Sequence, residues 1–234
     1  MSPHCVPRPA DRRIPHVPEL SFTLLDVGPA KYAAVPTLLF RLGVQQLGEP
    51  VAIRSVSLQC QLRIDARKRR YSSDEQQRLT DLFGTPERWS HTLTSFLWTQ
   101  VQLLLPAFQG ATEAELPVPV SFDFALAATK YFCGLQQGEL PLLLLFSGNV
   151  FYADADGALA MDAIAWDREI LARIPLTAWH ALRDLYYPNL AWLSLKRETF
   201  EALDAYKRSL GVTGYDEALT RLLPEEAPAV ALDG

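Results

Sequence analysis

Four histidines, three cysteines and a scatter of carboxylates are the side chains of this 234-residue chain that could do covalent or metal chemistry. The histidines are His4, His16, His91 and His180, and the cysteines are Cys5, Cys60 and Cys133. None falls into HExxH or CxxC spacing, the arrangements that put two ligands on one helix face or one knuckle. No metal and no cofactor is therefore expected from linear motifs. The adjacent His4 and Cys5 could still capture nickel or zinc, so metal delivery from that end is one reading. "LFSG" (Leu145 to Gly148) lacks the flanking residues of a GxSxG nucleophile turn, and no glycine-rich phosphate loop occurs. "DADG" (Asp154 to Gly157) has the alternating aspartates of a calcium loop, but its glycine comes too early, and it reads as a hairpin turn. A hydrolase would need a site assembled from afar, joining His91 or His180 to carboxylates such as Asp26, Asp65, Asp123, Asp162 or Asp167. No catalytic residue is singled out, and that enzyme reading stands as the alternative.

The densest run of chemistry is basic. Arg63, Arg67, Lys68, Arg69 and Arg70 lie within eight positions, with Tyr71 adjoining. A single-strand nucleic-acid site would interleave several stacking aromatics with such charges. Here one aromatic adjoins, and the chain carries 22 basic against 27 acidic residues, a formal net charge of −5. Nucleic acid is not the expected partner. The run reads as the polar end of a strand, and Arg67, Lys68, Arg69, Arg70 and Tyr71 read as a docking patch for an acidic protein surface. Trp192, Phe200 and Tyr206 form a second candidate protein-binding face. Of Trp89, Trp98, Trp166, Trp179 and Trp192, most are expected in the core or at the seam between sheet and helices.

Period-two alternation defines the elements around these residues. "ELSFTLLDV" alternates Leu20, Phe22 and Leu24. "PTLLFRLGV" alternates Leu38, Phe40, Leu42 and Val44. "RSVSLQCQLRI" alternates Val56, Leu58, Cys60, Leu62 and Ile64, which gives Cys60 core parity. "SSDEQQRLTDLFG" then reads as one inserted helix, with a capping box between Ser72 and Glu75 and a stop at Gly84. "LTSFLWTQVQLLLP" has apolar residues on both faces and is expected to be a central strand. "ELPVPVSFDFALAATKYF" alternates as far as Leu126, with Pro117 and Pro119 of opposite parity, as an edge strand allows; Cys133 falls near its end. "LPLLLLFSGNVFYADADGALAMDAIAW" reads as a strand, a turn and a returning strand. From Ile174 the period is helical, in "IPLTAWHALRDLYYP", "KRETFEALDAYKRSLG" and "TGYDEALTRLLP".

About half of the residues are apolar and a fifth charged, enough for a real core. The expected fold is α+β: an antiparallel β-sandwich-like domain of seven or eight strands, with one inserted helix and a C-terminal helical segment packed on it. Residues 1–17 are expected to be a flexible lead, 18–223 a single domain and 224–234 a frayed tail. The odd, unpatterned cysteines favour a reducing compartment, and no apolar run reaches the ~20 residues of a membrane helix, so a soluble cytoplasmic protein without membrane insertion is expected. Oligomeric state is not legible.

Three stretches, "SLQCQLRIDARKRRYSSDEQQRLTDLFGTPERW", "LPVPVSFDFALAATKYFCGLQQGELPLLLLFSGNVF" and "TFEALDAYKRSLG", resemble an uncharacterised bacterial family, a domain of unknown function. The resemblance runs from about Pro18 to Leu223. Members are often encoded beside uptake nickel–iron hydrogenases and their maturation factors. The resemblance thus implies a hydrogenase-associated accessory role, and it carries no catalytic motif onto any residue here. The expected function is a non-enzymatic accessory or scaffold protein that binds another protein.

Overall fold

The computed structural model describes residues 18–123, 126–190 and 193–223. They fall into two compact units, divided along the sequence between residues 191 and 192. The first holds two antiparallel sheets, which makes the protein α+β and sandwich-like.

The smaller sheet has the order β1-β2-β5 and is built from β1 (Glu19–Pro29), β2 (Thr37–Leu47) and β5 (Ala111–Pro119). The larger sheet contains β3 (Ile53–Asp65), β4 (Ser95–Leu105), β6 (Glu139–Ala153), β7 (Leu159–Ala163) and β8 (Glu169–Pro175), in the order β4-β3-β6-β7. β6 is long enough to hold two partners on one edge. Its first half pairs with β8 and its second half with β7. Alternation in β2 and β3 sends Leu38, Phe40, Leu42, Leu58, Cys60, Leu62 and Ile64 into the core, all essentially without solvent contact. Across the two sheets Phe22 stacks on Phe146 with centroids 4.2 Å apart, and Phe40 meets Trp98 at 6.1 Å.

Helices close the sandwich. Between β3 and β4 the expected single helix is broken into α1 (Ser73–Arg78) and α2 (Thr80–Phe83), followed by α3 (Trp89–Thr92). The capping box is present: Ser72 Oγ accepts from the Glu75 N–H, and the Glu75 carboxylate accepts from the Ser72 N–H. The helical path breaks at Leu79, which turns inward and is 1 % exposed.

Three sequence expectations need correction. β5 ends at Pro119, not at Leu126, and α4 (Ala127–Gly134) follows a turn in which Ser121 Oγ accepts from the Asp123 N–H. Cys133 is thus on a helix. β4 is an edge strand and not a central one. A register shift sets Leu62 opposite Thr99 and Arg63 opposite Leu97, so Trp98 is the extra residue of a bulge. The bulge puts Leu97, Gln100, Gln102 and Leu104 together on the exposed face, although their numbers do not share parity. Finally β8, with Ala172 and Ile174 turned inward, occupies residues to which the alternation assigns no element, and it runs past Ile174, where the helical period is placed.

α5 (Leu176–Tyr186) packs on β1 and β2; Tyr186 donates to the carbonyls of Ala30 and Ala33 at 3.0 and 2.9 Å. The second unit is a helical hairpin of α6 (Arg197–Leu210) and α7 (Tyr215–Leu222), joined through Gly211 in the left-handed conformation. Leu203 and Ala218 are its buried contacts, and Tyr215 donates to Asp204 at 2.8 Å.

Candidate functional site

The basic run occupies the end of β3 and the approach to α1, and the structure divides it into committed and uncommitted charges. Arg63 donates to the carbonyl and hydroxyl of Ser95. Arg67 grips the buried carboxylate of Asp65 through two bonds of 2.9 and 3.2 Å. Arg69 turns inward. Its Nη2 donates to Glu75 Oε1 at 2.6 Å and to the Gln137 carbonyl, and its Nη1 donates to the Glu139 carbonyl at 2.6 Å. The side chains of Arg69 and Glu75 are only 9 % and 5 % exposed.

Burial by itself would raise the Glu75 carboxyl. The N–H groups of Gln136 and Ser72 and the Arg69 guanidinium outweigh it and hold the group below the ordinary glutamate range. The loop that receives Arg69 is shaped by Gly138, whose φ of +91° suits glycine; a Cβ there would come within 3.2 Å of Arg69 Nη1. Beneath this pair, Tyr71 donates to the Ala66 carbonyl at 2.6 Å and lies 2.8 Å from the Tyr131 hydroxyl. Burial raises the Tyr71 phenol to about 12 and pushes Tyr131 up as well. Arg69 and Tyr71 of the predicted patch are therefore both bonded into the framework of the fold.

Lys68 and Arg70 remain exposed, and among the described residues neither side chain makes a hydrogen bond or ion pair. Arg70 lines an open cavity of about 410 Å³ together with Arg69, Ser72, Glu75, Glu139 and Arg173. Arg173 comes from β8, the strand absent from the sequence reading. It donates to the Lys68 carbonyl at 3.3 Å and lies 3.9 Å from a Glu139 carboxylate oxygen. Only the missed strand could have brought it to notice.

The other candidates take ordinary places. Cys60 is buried in the sheet core, where desolvation pushes its thiol up to about 12. Cys133, raised to about 11 by the same cause, borders a second cavity of about 220 Å³ with Arg78, Asp81 and Lys130. His91 is exposed on α3, while His180 on α5 is half-buried against Trp179, and burial lowers its pKa. Neither histidine lines either cavity. Among the described residues no three His, Cys, Asp or Glu side chains form a metal-holding group. Asp154 closes the hairpin turn by accepting from the N–H groups of Asp156 and Ala158. Phe200 belongs to the second unit, half-exposed and 5.6 Å from the Tyr215 ring, and Tyr206 lies on the same helix. Trp192, His4, Cys5 and His16 lie outside the described residues. No described helix is long and apolar enough to cross a membrane.

Fold and site define a two-sheet antiparallel protein whose polar cleft has arginines on its rim and a buried ion pair in its wall. The chain belongs to the family of unknown function DUF6084, whose model matches residues 17–231. No curated protein matches it at a significant level. Among solved structures it is similar to a β-glucosidase from Kluyveromyces marxianus (11% identity, 67% of this chain and 15% of that one, TM-score 0.25). It is also similar to a protein designated ApaA from Bordetella pertussis (12%, 68% and 95%, TM-score 0.23). A third is the sporulation control protein Spo0M from Bacillus subtilis (10%, 68% and 49%, TM-score 0.23). The chain thus spans a small part of the first of these and about half of the third. At these TM-scores the similarities carry no argument about activity.

Proposed function

We propose that this chain is a non-enzymatic accessory protein that docks on an acidic surface of another protein through Lys68, Arg70 and Arg173. One observation carries the reading. Arg67 and Arg69 are committed to buried carboxylates, whereas Arg70, which shares the rim of one open cavity with Arg173, is committed to none, and Arg173 is held only loosely, 3.9 Å from the exposed Glu139. Two guanidiniums on a concave rim suit bidentate pairing with carboxylates, and a local positive patch on a net-negative chain steers an acidic partner into one orientation. The gene-neighbourhood resemblance points to a nickel–iron hydrogenase component or maturation factor as that partner.

Affinity capture with the tagged chain, followed by mass spectrometry, tests this. Wild type retains a protein partner that high salt releases, and Arg70→Glu with Arg173→Glu loses it while the fold, read by far-UV circular dichroism, is unchanged. Capture unaffected by the double substitution would remove the docking patch. A chain that stays alone while hydrogenase matures normally in a deletion strain would remove the partner class.

A further inference from the structure

Each strand on an open sheet edge except one carries a feature that discourages pairing with another chain. β1 has a register shift at Leu24/Asp26 and charged ends bridged to Arg41 and Arg168. β5 carries Glu113, Glu115, Pro117 and Pro119. β7 is five residues long and holds Asp162, and β8 holds Glu169, Arg173 and Pro175. β4, "SFLWTQVQLLL", has eleven residues with neither a charge nor a proline. It lies at the end of its sheet, and Leu97 and Leu104 on its outer face are 49 % and 70 % exposed.

From the β4 edge we infer that this protein forms a two-fold dimer in which β4 pairs antiparallel with β4 of a second copy, with Gln102 on the axis. A two-fold sets the axial residue against its own image and pairs the residues on either side of it with one another, and β4 brings no charged side chain into such a seam. With Gln102 facing Gln102 of the second copy, Gln100 meets Leu104 on the outer face, while Val101 meets Leu103 and Thr99 meets Leu105 on the inner face. Each pair joins residues of the same face, as antiparallel pairing requires. The glutamine amide holds both donor and acceptor, so it is complementary to its own image. The bulge at Trp98 ends the paired segment on one side and Pro106 ends it on the other. The resulting seven-residue pairing joins two five-stranded sheets into one. It does not depend on the docking patch proposed above.

Sedimentation velocity on the full chain tests the pairing, beside cross-linking. The expected wild-type result is a dimer fraction that rises with concentration. Gln102→Lys places two like charges face to face on the axis and gives a monomer with unchanged far-UV circular dichroism. In a Cys5→Ser background, Gln102→Cys yields a disulfide-linked dimer on oxidation, and Leu159→Cys on the β7 edge does not. A wild type that stays monomeric up to its solubility limit, as it would if β4 received a strand of some other protein, overturns the inference. So does a dimer that survives Gln102→Lys and gives no cross-link at position 102.

Discussion

Arg69 Nη2 stands 2.6 Å from Glu75 Oε1, with both side chains almost fully removed from water. The pair ties the end of β3, the first turn of α1 and the 136–139 loop into one piece, because Glu75 also accepts from the Gln136 N–H at 3.0 Å. The Arg69 Nε is buried without a partner. An arginine inside a run of exposed basic residues thus acts as a structural tie.

Removing one partner should cost far more than the pair contributes. Glu75→Ala leaves a guanidinium buried with only carbonyl acceptors, and breaking a buried pair this way costs about 3–5 kcal/mol. Urea unfolding measures it. A loss within the range of a surface ion pair, below about 1 kcal/mol, would mean that the pair is solvated and the cleft wall mobile.

Glu75 also sets an acid dependence. Its folded pKa lies below its unfolded value, so its stabilising contribution is complete above the ordinary glutamate range of about 4.3 and is lost as pH falls through the lowered folded value. The difference in urea midpoint between wild type and Glu75→Gln should therefore be largest near neutral pH and narrow as the solution is acidified. A gap that stays constant or widens on acidification contradicts the assigned direction.

The two tyrosines below the pair give an ordered prediction. Tyr71 spends its proton on the Ala66 carbonyl, so the proton between the hydroxyls comes from Tyr131. Tyr71→Phe leaves both the Ala66 carbonyl and the buried Tyr131 hydroxyl unpaired, at about 1–3 kcal/mol. Tyr131→Phe removes one donor and leaves the Tyr71–Ala66 bond intact, at about 0.5–1.5 kcal/mol. Thermal or urea unfolding of the two variants should rank Tyr71→Phe as the more damaging; the reverse order would place the proton on the other side.

Most of the sandwich could be read from alternation, because Leu20 to Leu24 of β1, Leu38 to Val44 of β2 and Val56 to Ile64 of β3 keep one parity inward; only beyond the register shifts, at Val27 and Ile53, does the inward parity change. The reading failed where that premise failed. In β4 the Trp98 bulge moves Leu97 and Leu104 to one face, so a fixed period assigned them to opposite faces and made an edge strand look central. Val118, Val120 and Phe122 keep parity across the end of β5 without staying in a ladder, since the Val120 N–H goes to the Pro36 carbonyl beyond the last paired residue. β8 offered only seven residues before a helix with a similar apolar content. Arg173, and with it half of the cleft rim, was hidden by that short strand. The capping box at Ser72 and Glu75 was legible, but its second use, as the anchor for Arg69, depends on a loop some sixty residues further on.

Gly148 provides a sharp test of the β6 path. It sits opposite Leu58, at the point where β6 passes from its β8 partner to its β7 partner, and its carbonyl accepts from the Ile164 N–H at 2.9 Å. Its φ is +133°, and a Cβ would overlap the carbonyl oxygen of Ser57 on the adjacent strand. Gly148→Ala therefore combines backbone strain with a clash against a main chain that has little room to move, and should cost about 4 kcal/mol or more, or prevent folding. Gly157 in the 154–158 turn has a φ of +80° but open space around the missing Cβ. Gly157→Ala carries the conformational penalty alone, about 1–2 kcal/mol. Comparing the two by urea unfolding separates crowding from strain. Equal losses would mean that β3 and β6 do not approach so closely at this point, and that the sheet passes from β8 to β7 by another path.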